Sequence, residues 1–182
     1  MMTSTTFDDV LARADLIHDQ ATLAGAIARV GRDIDAWLDG TPAVFLTVMQ
    51  GALPFAGQLA TAIRSPLLFD YVHATRYRGN TRGAELHWIK RPATTLAGAT
   101  VLLVDDILDE GHTLAAIRDH CVEQGAARVA IAVLCEKRHD RRVAGLAADF
   151  VGVEVPDRYV FGYGMDYHEQ GRNLAAIHAV DA

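Results

Sequence analysis

Three short apolar runs, separated by segments of helical periodicity, constrain the fold more than any other feature of the chain. They are AVFLTV at 43–48, TVLLV at 100–104 and RVAIAVLCE at 128–136. Each run is almost continuously apolar and rich in β-branched residues, as expected for a strand covered on both faces of a sheet. Strands that alternate with helices form βαβ units. The pattern therefore predicts an α/β fold with a mostly parallel central sheet flanked by helices.

The segment 23–38 has the clearest helical periodicity. Its apolar residues recur every three or four positions: Leu23, Ala26, Ile27, Val30, Ile34, Trp37 and Leu38. Asp19 or Thr22 would cap the start of this helix, and Gly40 followed by Pro42 would end it. Further helices are predicted for FAGQLATAI and LAAIRDHCVEQG, and further strands for SPLLFDYV, DFVGVEV and YVFGYG.

The stretch 75–90, TRYRGNTRGAELHWIK, carries two glycines and several charges, and is predicted to be a long mobile loop or a hairpin. Long loops inside compact domains tend to be functional.

Composition narrows the class of protein. A chain of 182 residues with 51% hydrophobic and 22% charged residues predicts one soluble globular domain. Its net charge of −6 disfavours nucleic acid as the main partner. Cys121 and Cys135 lack the spacing of a metal site or a disulfide framework. The chain has no apolar run long enough for a membrane span, and its N-terminus lacks the features of a signal peptide, so we expect a cytoplasmic protein.

Acidic residues crowd the stretch DDILDEGHT at 105–113, directly after the run TVLLV. In an open α/β sheet, ligands bind beyond the carboxyl ends of the strands. Asp105 and Asp106 offer acceptor oxygens for sugar hydroxyls or Mg²⁺. Gly111 would let the backbone approach a ligand, and the residues after it would begin a helix, whose N-terminus attracts phosphate. The stretch therefore predicts a sugar-phosphate site.

The same run, VLLVDD, also resembles the acidic pocket of a response-regulator receiver domain. A receiver domain needs a phospho-accepting aspartate at the end of a central strand and a later lysine at a strand end. Lys137 could serve as the lysine, but AVFLTVMQG ends without an aspartate.

Several motifs together resemble a known family. VLLVDDILDEGHT at 101–113 is similar to the phosphoribosyl diphosphate (PRPP) motif of type I phosphoribosyltransferases. VMQG at 48–51, VLCEKR at 133–138 and the long segment 149–174 extend the resemblance to the hypoxanthine-guanine phosphoribosyltransferases. The motifs occur in the family's order and span residues 43–174, most of the chain.

The resemblance implies an activity and an architecture. The family joins N9 of a 6-oxopurine to C1 of PRPP and releases pyrophosphate, through a transition state with oxocarbenium character. The implied single domain, 1–182, has a core of about five mostly parallel strands over about 40–150. A small hood would come from the N-terminal region and 151–182, and a mobile lid from about 75–90. A homodimer or homotetramer is expected.

The resemblance also implies roles for the acidic stretch. Asp109 matches the residue near purine N7 that accepts or relays a proton. Asp105 and Asp106 would hold the ribose hydroxyls and help to place Mg²⁺. The backbone from Asp109 onward and a threonine hydroxyl would bind the 5′-phosphate. The implied PRPP-binding residues of this loop are Glu110, Gly111, His112 and Thr113.

The purine would be bound by four residues, as the resemblance implies. Lys137 would donate to the 6-oxo group, which favours oxopurines over adenine. Tyr159 would stack on the base, and Val160 would contact the purine edge through its backbone. Asp166 would hold a second Mg²⁺, directly or through water.

Pyrophosphate would lie against Gln50 and Gly51, where the family often has a non-proline cis peptide, and against Arg172. Arg76 and Tyr77 fall where the family's lid carries a Ser-Tyr pair, and lid closure would exclude water from the reacting ribose.

The chain departs from the family's pattern at a few of these positions. Gln50 stands where many relatives have lysine, and Arg76 replaces the lid serine. Glu110 and His112 replace the threonine and lysine of a TGKT loop, so we expect the backbone to do the phosphate binding, with the Glu110 side chain in solvent. These changes concern PRPP affinity more than the reaction type.

Two alternatives stay open at this point. One is a regulator with the phosphoribosyltransferase fold that binds RNA and senses nucleotides. Another is an enzyme that prefers xanthine, since Lys137 disfavours adenine but says little about xanthine. His139 and Asp140 match the metal-binding pair of phosphohydrolases, but the other ligands of such a site are missing at suitable positions.

Overall fold

The computed structural model describes residues 6–76 and 86–180. Its elements follow in chain order: α1 (Phe7–Leu11), β1 (Asp15–His18), α2 (Gln20–Leu38), β2 (Ala43–Met49), α3 (Leu53–Ala62), β3 (Leu67–Arg76), β4 (Leu86–Lys90), β5 (Thr100–Leu108), α4 (His112–Glu123), β6 (Arg128–Lys137), β7 (Phe150–Val155), β8 (Val160–Phe161) and β9 (Ile177–Ala179). No helix in these two ranges combines the length and the apolar character that a membrane crossing requires.

Among the described residues, the main sheet has six strands in the order β4-β3-β2-β5-β6-β7. Neighbouring strands are parallel except for β4, which pairs with β3 in the antiparallel direction. The predicted α/β class is confirmed, because the three apolar runs form the central strands β2, β5 and β6. A second, antiparallel sheet of β1, β9 and β8 lies beyond the main one.

Alternate residues of the central strands supply two hydrophobic cores, one on each face of the main sheet. Phe45 and Leu102 face the core formed with α2 and α3. Val44 and Leu103 face the opposite core, which α4 completes. Because both faces are covered, nearly every residue of these strands is buried, which explains their continuous apolar character.

Helix α2 forms as its periodicity predicts, with the side chain of Asp19 accepting a hydrogen bond from the Thr22 backbone at its N-terminus. It ends at Leu38, and the next residue, Asp39, has a left-handed backbone conformation. Gly31 packs directly against Ala62 of α3, and a side chain at this position would overlap that residue. The small residue lets the two helices approach closely on the same face of the sheet.

Three details differ from the sequence expectation. The main sheet has six strands rather than five. Strand β7 pairs with β6 along Phe150–Val155, so the second sheet takes its C-terminal strands from Val160 onward and not from 151. Strand β5 continues through the acidic pair to Leu108, because β6 pairs with it as far as Glu136.

The stretch 75–90 was expected to be a long loop or a hairpin, and its ends pair as antiparallel strands β3 and β4. Tyr77 and most of the predicted lid lie outside the described residues, while Arg76 is the last residue of β3.

Candidate active site

Most of the predicted site residues that the structure describes gather at the carboxyl ends of β2, β5 and β6, which are adjacent parallel strands. Two adjoining depressions open there. The first, of about 320 Å³, is lined by residues 105–107 and 109–114. The second, of about 270 Å³, is lined by Asp106, Ile107, Asp109, Lys137, Tyr159, Val160, Met165 and Asp166. All the residues predicted for PRPP on the acidic stretch border the first depression, and those predicted for the purine border the second.

Asp105 and Asp106 form a pair of carboxylates at the floor of the first depression. Asp105 is only 9% exposed, and Asp106 is half-buried. Burial and the neighbouring charge of Asp106 raise the pKa of Asp105 well above its usual value. Burial also raises the pKa of Asp106, although the Ile107 backbone donates a hydrogen bond of 2.8 Å to its Oδ1 atom. Burial thus outweighs the contacts that would favour two ionised groups.

This donor set fits Mg²⁺ that is shared with a phosphate ligand. Within residues 6–76 and 86–180, no three acidic, histidine or cysteine side chains come together as a complete metal site. Magnesium is usually held by one or two carboxylates, with water and substrate phosphates completing its coordination. Asp105 and Asp106 supply such a pair of carboxylates.

The loop after β2 lies directly against this acidic pair. It contains a cis peptide bond between Met49 and Gln50, in agreement with the expected non-proline cis peptide. A side chain at Gly51 would overlap the carboxylate of Asp106, and one at Gly164 would overlap the carbonyl oxygen of Gly51. Glycine at both positions therefore lets three segments of the chain meet at the acidic pair.

Arg172 completes this side of the site. Its Nη1 atom donates a hydrogen bond of 2.8 Å to the Gly164 carbonyl, and its Nη2 atom lies 2.5 Å from Asp166 Oδ1. Its positive charge lowers the pKa of Asp106, but less than burial raises it. Gln50 and Arg172 also border a third depression of about 590 Å³, together with Met49, Leu53, Pro54, Tyr71, His73, Gly164 and Asn173.

Asp109 sits where the first two depressions meet, and each of its oxygens has a partner. Lys137 Nζ lies 2.6 Å from Oδ2, and His139 Nε2 lies 2.6 Å from Oδ1. Burial acts to raise the pKa of Asp109, but the hydrogen bonds from Lys137 and His139 outweigh it and hold that pKa below its usual value. Asp109 is therefore an ionised carboxylate at neutral pH.

The contact of His139 with Asp109 is the feature that the sequence analysis missed. By sequence, the pair His139-Asp140 matches only a metal-binding motif. Residues two apart in an extended chain point to the same side, so the spacing of His139 from Lys137 could have indicated that both approach one group. Which group they approach depends on the pairing of β5 with β6, and that pairing is not visible in the sequence.

The second depression is bounded by an exposed aromatic ring. The side chain of Tyr159 is largely accessible, and its hydroxyl donates a hydrogen bond of 3.1 Å to the Asp166 carbonyl oxygen. Its ring makes an edge contact with Tyr167, at a centroid distance of 5.5 Å. The ring is thus held in place at the wall of the second depression. Val160 follows as the first residue of β8.

The first depression ends at the start of α4. Gly111 precedes this helix with a φ of 83°, and a side chain there would overlap Leu146 and Leu108. His112 and Thr113 begin the helix, so their backbone N–H groups belong to its first turn. This arrangement provides a helix N-terminus beside the acidic pair, suited to a phosphate group.

Glu110 faces other side chains in addition to solvent. Its carboxylate lies 3.5 Å from His112 Nε2 and 4.0 Å from Arg141 Nε, with 47% of the side chain exposed. Its backbone carbonyl accepts a hydrogen bond of 2.9 Å from the Val143 backbone. The expectation of a side chain in solvent is therefore only partly right, because the loop after β6 covers one side of Glu110.

Comparisons with known proteins agree with this architecture. Residues 14–169 match the phosphoribosyl transferase domain family. The chain is 34% identical over 161 residues to a hypoxanthine-guanine phosphoribosyltransferase of Streptococcus pneumoniae, covering 88% of each chain. It is also 34% identical over 152 residues to the enzyme of the same name from Bacillus subtilis, covering 83% of this chain and 84% of the relative.

A solved structure of a hypoxanthine phosphoribosyltransferase from Staphylococcus aureus superimposes with a TM-score of 0.88 at 27% identity, covering 100% of this chain and 97% of the other. The chain therefore belongs to the phosphoribosyltransferase family, among the hypoxanthine-guanine phosphoribosyltransferases.

Proposed function

We propose that this phosphoribosyltransferase is a purine-salvage enzyme. It transfers the phosphoribosyl group of PRPP to hypoxanthine or guanine and releases IMP or GMP together with pyrophosphate. The observation that carries the proposal is the ion pair of Asp109 with Lys137, at 2.6 Å, on the border between a phosphate-type loop and an aromatic-walled depression. One carboxylate and one cation there can address N7 and the 6-oxo oxygen, which lie on the same edge of an oxopurine.

PRPP would bind along the first depression. Its 5′-phosphate would accept hydrogen bonds from the backbone of residues 109–113 and from the Thr113 hydroxyl, where the dipole of α4 adds favourable potential. The ribose hydroxyls would donate to Asp105 and Asp106. Mg²⁺ bound at this pair would neutralise charge on the diphosphate as it leaves.

The purine would bind in the second depression. There Lys137 would donate to the 6-oxo group, while Asp109 would accept the proton from N7. That proton leaves N7 as the N9–C1 bond forms and the bond from C1 to the diphosphate oxygen breaks. Tyr159 would stack on the base, and the Val160 backbone would contact its edge.

Pyrophosphate would leave past the loop of Gln50 and Gly51, beside Arg172. The guanidinium of Arg172 can stabilise the departing anion, because it lies beside the loop that contacts the acidic pair. Asp166, its ion-pair partner, would contribute to a second Mg²⁺ site. Arg76 and Tyr77 are proposed to act from the lid, excluding water from the reacting ribose.

Product formation with PRPP and Mg²⁺ tests this function when hypoxanthine, guanine, xanthine and adenine are compared in parallel. We expect turnover of hypoxanthine and guanine and little of adenine, because Lys137 is a donor that suits a 6-oxo group and not a 6-amino group. Turnover of xanthine alone would support the xanthine-preferring alternative. No nucleotide from any base would contradict the enzymatic function.

We also propose that the protein is cytoplasmic and forms a homodimer or a homotetramer, and that nucleic acid is not one of its partners. Its cysteines are free and buried, as is common in reducing compartments. Large apolar side chains are exposed along β3, β4 and the start of α3: Leu53, Leu68, Phe69, Tyr71 and Ile89. Exposed apolar side chains of this size are typical of subunit interfaces, and light scattering after gel filtration would measure the assembly.

A further inference from the structure

We propose that His139 is a positioning residue that holds Asp109 through one carboxylate oxygen and leaves the other oxygen for the purine. The inference rests on the proposed function, because it assigns His139 a task in the same reaction. It makes His139 the fixed partner of Asp109 and Lys137 the partner that changes when the purine binds.

The hydrogen bonds of the imidazole determine which of its nitrogens carries the proton. The Arg141 backbone N–H points at His139 Nδ1 at 3.1 Å, and a backbone N–H can only donate. Nδ1 must therefore accept, so the hydrogen of the neutral ring lies on Nε2. Nε2 in turn lies 2.6 Å from Asp109 Oδ1, which accepts that hydrogen. Neutral His139 is thus already a donor to Asp109.

The surroundings keep the imidazole in this orientation. Its side chain is only 2% exposed. Arg141, whose backbone caps Nδ1, is anchored by two hydrogen bonds of 2.8 and 2.7 Å to the carboxylate of Asp157. The ionisable groups around His139 are Asp109 beyond β5, Lys137 at the end of β6, Arg141 on its own loop and Asp157 beyond β7. Both ring nitrogens therefore have a partner within the protein.

Of the two partners of Asp109, only Lys137 would find a hydrogen-bond acceptor on the purine. Lys137 has a target on the purine, the 6-oxo group, whereas the His139 ring is enclosed and has both nitrogens engaged with protein. When Lys137 turns to the purine, Oδ2 loses its partner and becomes free to accept from N7. Oδ1 stays bonded to His139, so the carboxylate keeps its orientation and stays ionised until it receives the proton.

Two substitutions separate the hydrogen bond from simple packing. His139→Phe keeps a flat buried ring but has no donor, whereas His139→Gln can present an amide N–H near the position of Nε2. For His139→Phe we expect kcat/KM for hypoxanthine to fall about tenfold, as for loss of a hydrogen bond to a charged group. The acid limb of its pH profile should move to higher pH, because Asp109 becomes easier to protonate. His139→Gln should restore much of both.

The double variant Asp109→Asn/His139→Phe provides the control. If His139 acts through Asp109, adding His139→Phe to Asp109→Asn should cause little further loss. An equal loss in both backgrounds, with an unshifted pH profile, would overturn the proposal and leave His139 as a packing residue. Thermal unfolding of each variant shows whether a loss of folded protein contributes.

A titration that does not depend on turnover separates this inference from the proposed function. The carbon-13 signal of the Asp109 carboxyl reports its protonation directly. We expect it to titrate at higher pH in His139→Phe than in the wild-type protein or in His139→Gln. If no base yields a nucleotide but the titration shifts as expected, the proposed function fails and the hold of His139 on Asp109 stands. An unchanged titration would contradict the hold itself.

Discussion

The site contains two clusters whose acidic residues lie only a few positions apart in sequence but differ in pKa. The first cluster is Asp105 with Asp106, and the second is Asp109 with Lys137 and His139. Asp105 and Asp106 lie at the end of a buried strand, where burial and mutual repulsion raise the pKa of Asp105. Asp109, with a side chain 41% exposed, has Lys137 and His139 on its two oxygens and a lowered pKa. The first cluster is thus prepared to receive positive charge or hydroxyl donors from a ligand. The second is ionised before any ligand arrives.

This difference shows how one short stretch of the chain, 105–109, can carry two kinds of carboxylate. A pair of buried carboxylates is unfavourable until a cation or a hydrogen-bond donor binds, so the pair favours a ligand that brings either of them. A carboxylate that has its own donors can change one of them for the purine without ever being unpaired.

Removing the charge of Asp109 should have the largest effect. In Asp109→Asn the side chain cannot take the proton from N7, so we expect kcat to fall by at least about 100-fold, the usual contribution of a general base. Steady-state turnover of hypoxanthine measures this fall. Retention of wild-type kcat would show that Asp109 has no part in proton transfer.

Lys137→Met should remove the cation that the oxopurine takes from Asp109. We expect kcat/KM for hypoxanthine to fall about 10- to 100-fold, since a charged hydrogen bond is lost. The relative rate with adenine should rise, because the selective donor is gone. Parallel assays of the two bases measure both changes, and an unchanged ratio of their rates would contradict the role of Lys137 in base selection.

Asp105→Asn should stabilise the free protein while weakening PRPP binding. A carboxyl whose pKa is raised in the folded state contributes stability below its unfolded pKa, and this is lost as pH rises through the folded pKa. At neutral pH Asp105 therefore destabilises the folded protein. The substitution should raise the free energy of unfolding by about 1 kcal/mol, and with it Tm by a few degrees. Thermal unfolding measures this gain.

The same variant should respond less to its ligands. Mg²⁺ with PRPP should raise Tm of the wild-type protein more than that of Asp105→Asn, because the ligands relieve the repulsion within the pair. An equal rise in both proteins would mean that Asp105 does not face the ligands.

Glu110→Gln should have the smallest effect. Its carboxylate lies next to the first turn of α4, but it is half-exposed and faces His112 and Arg141, so its field at the phosphate is weakened. We expect KM for PRPP to fall about two- to fivefold, without a change in kcat. A rise in KM would indicate that Glu110 instead orders the loop through its contacts.

Local patterns in the chain are sufficient to predict most of the fold and much of the site. The three central strands are visible because a strand buried on both faces must be apolar throughout, and helix α2 because one face repeats every three to four residues. The acidic stretch 105–113 is recognisable because ligand residues follow directly on such a strand. Lys137 was found by resemblance, at the end of the next strand.

Contacts between distant segments required the tertiary structure. The number of strands in the main sheet and the position of β7 depend on which edge of the sheet remains free. The sequence of a single strand does not indicate which strand pairs with it. The contact of Gly164 with Gly51 depends on how the second sheet docks on the first.

The pairing of His139 with Asp109 also depends on register. Leu108, the last residue of β5, pairs with Glu136 of β6. This register brings the loop after β6 beside Asp109. A local pattern reports which residues must be buried and which can bind. Only the packed chain decides which of them meet, because the distances between side chains are set by strand pairing and not by their separation in sequence.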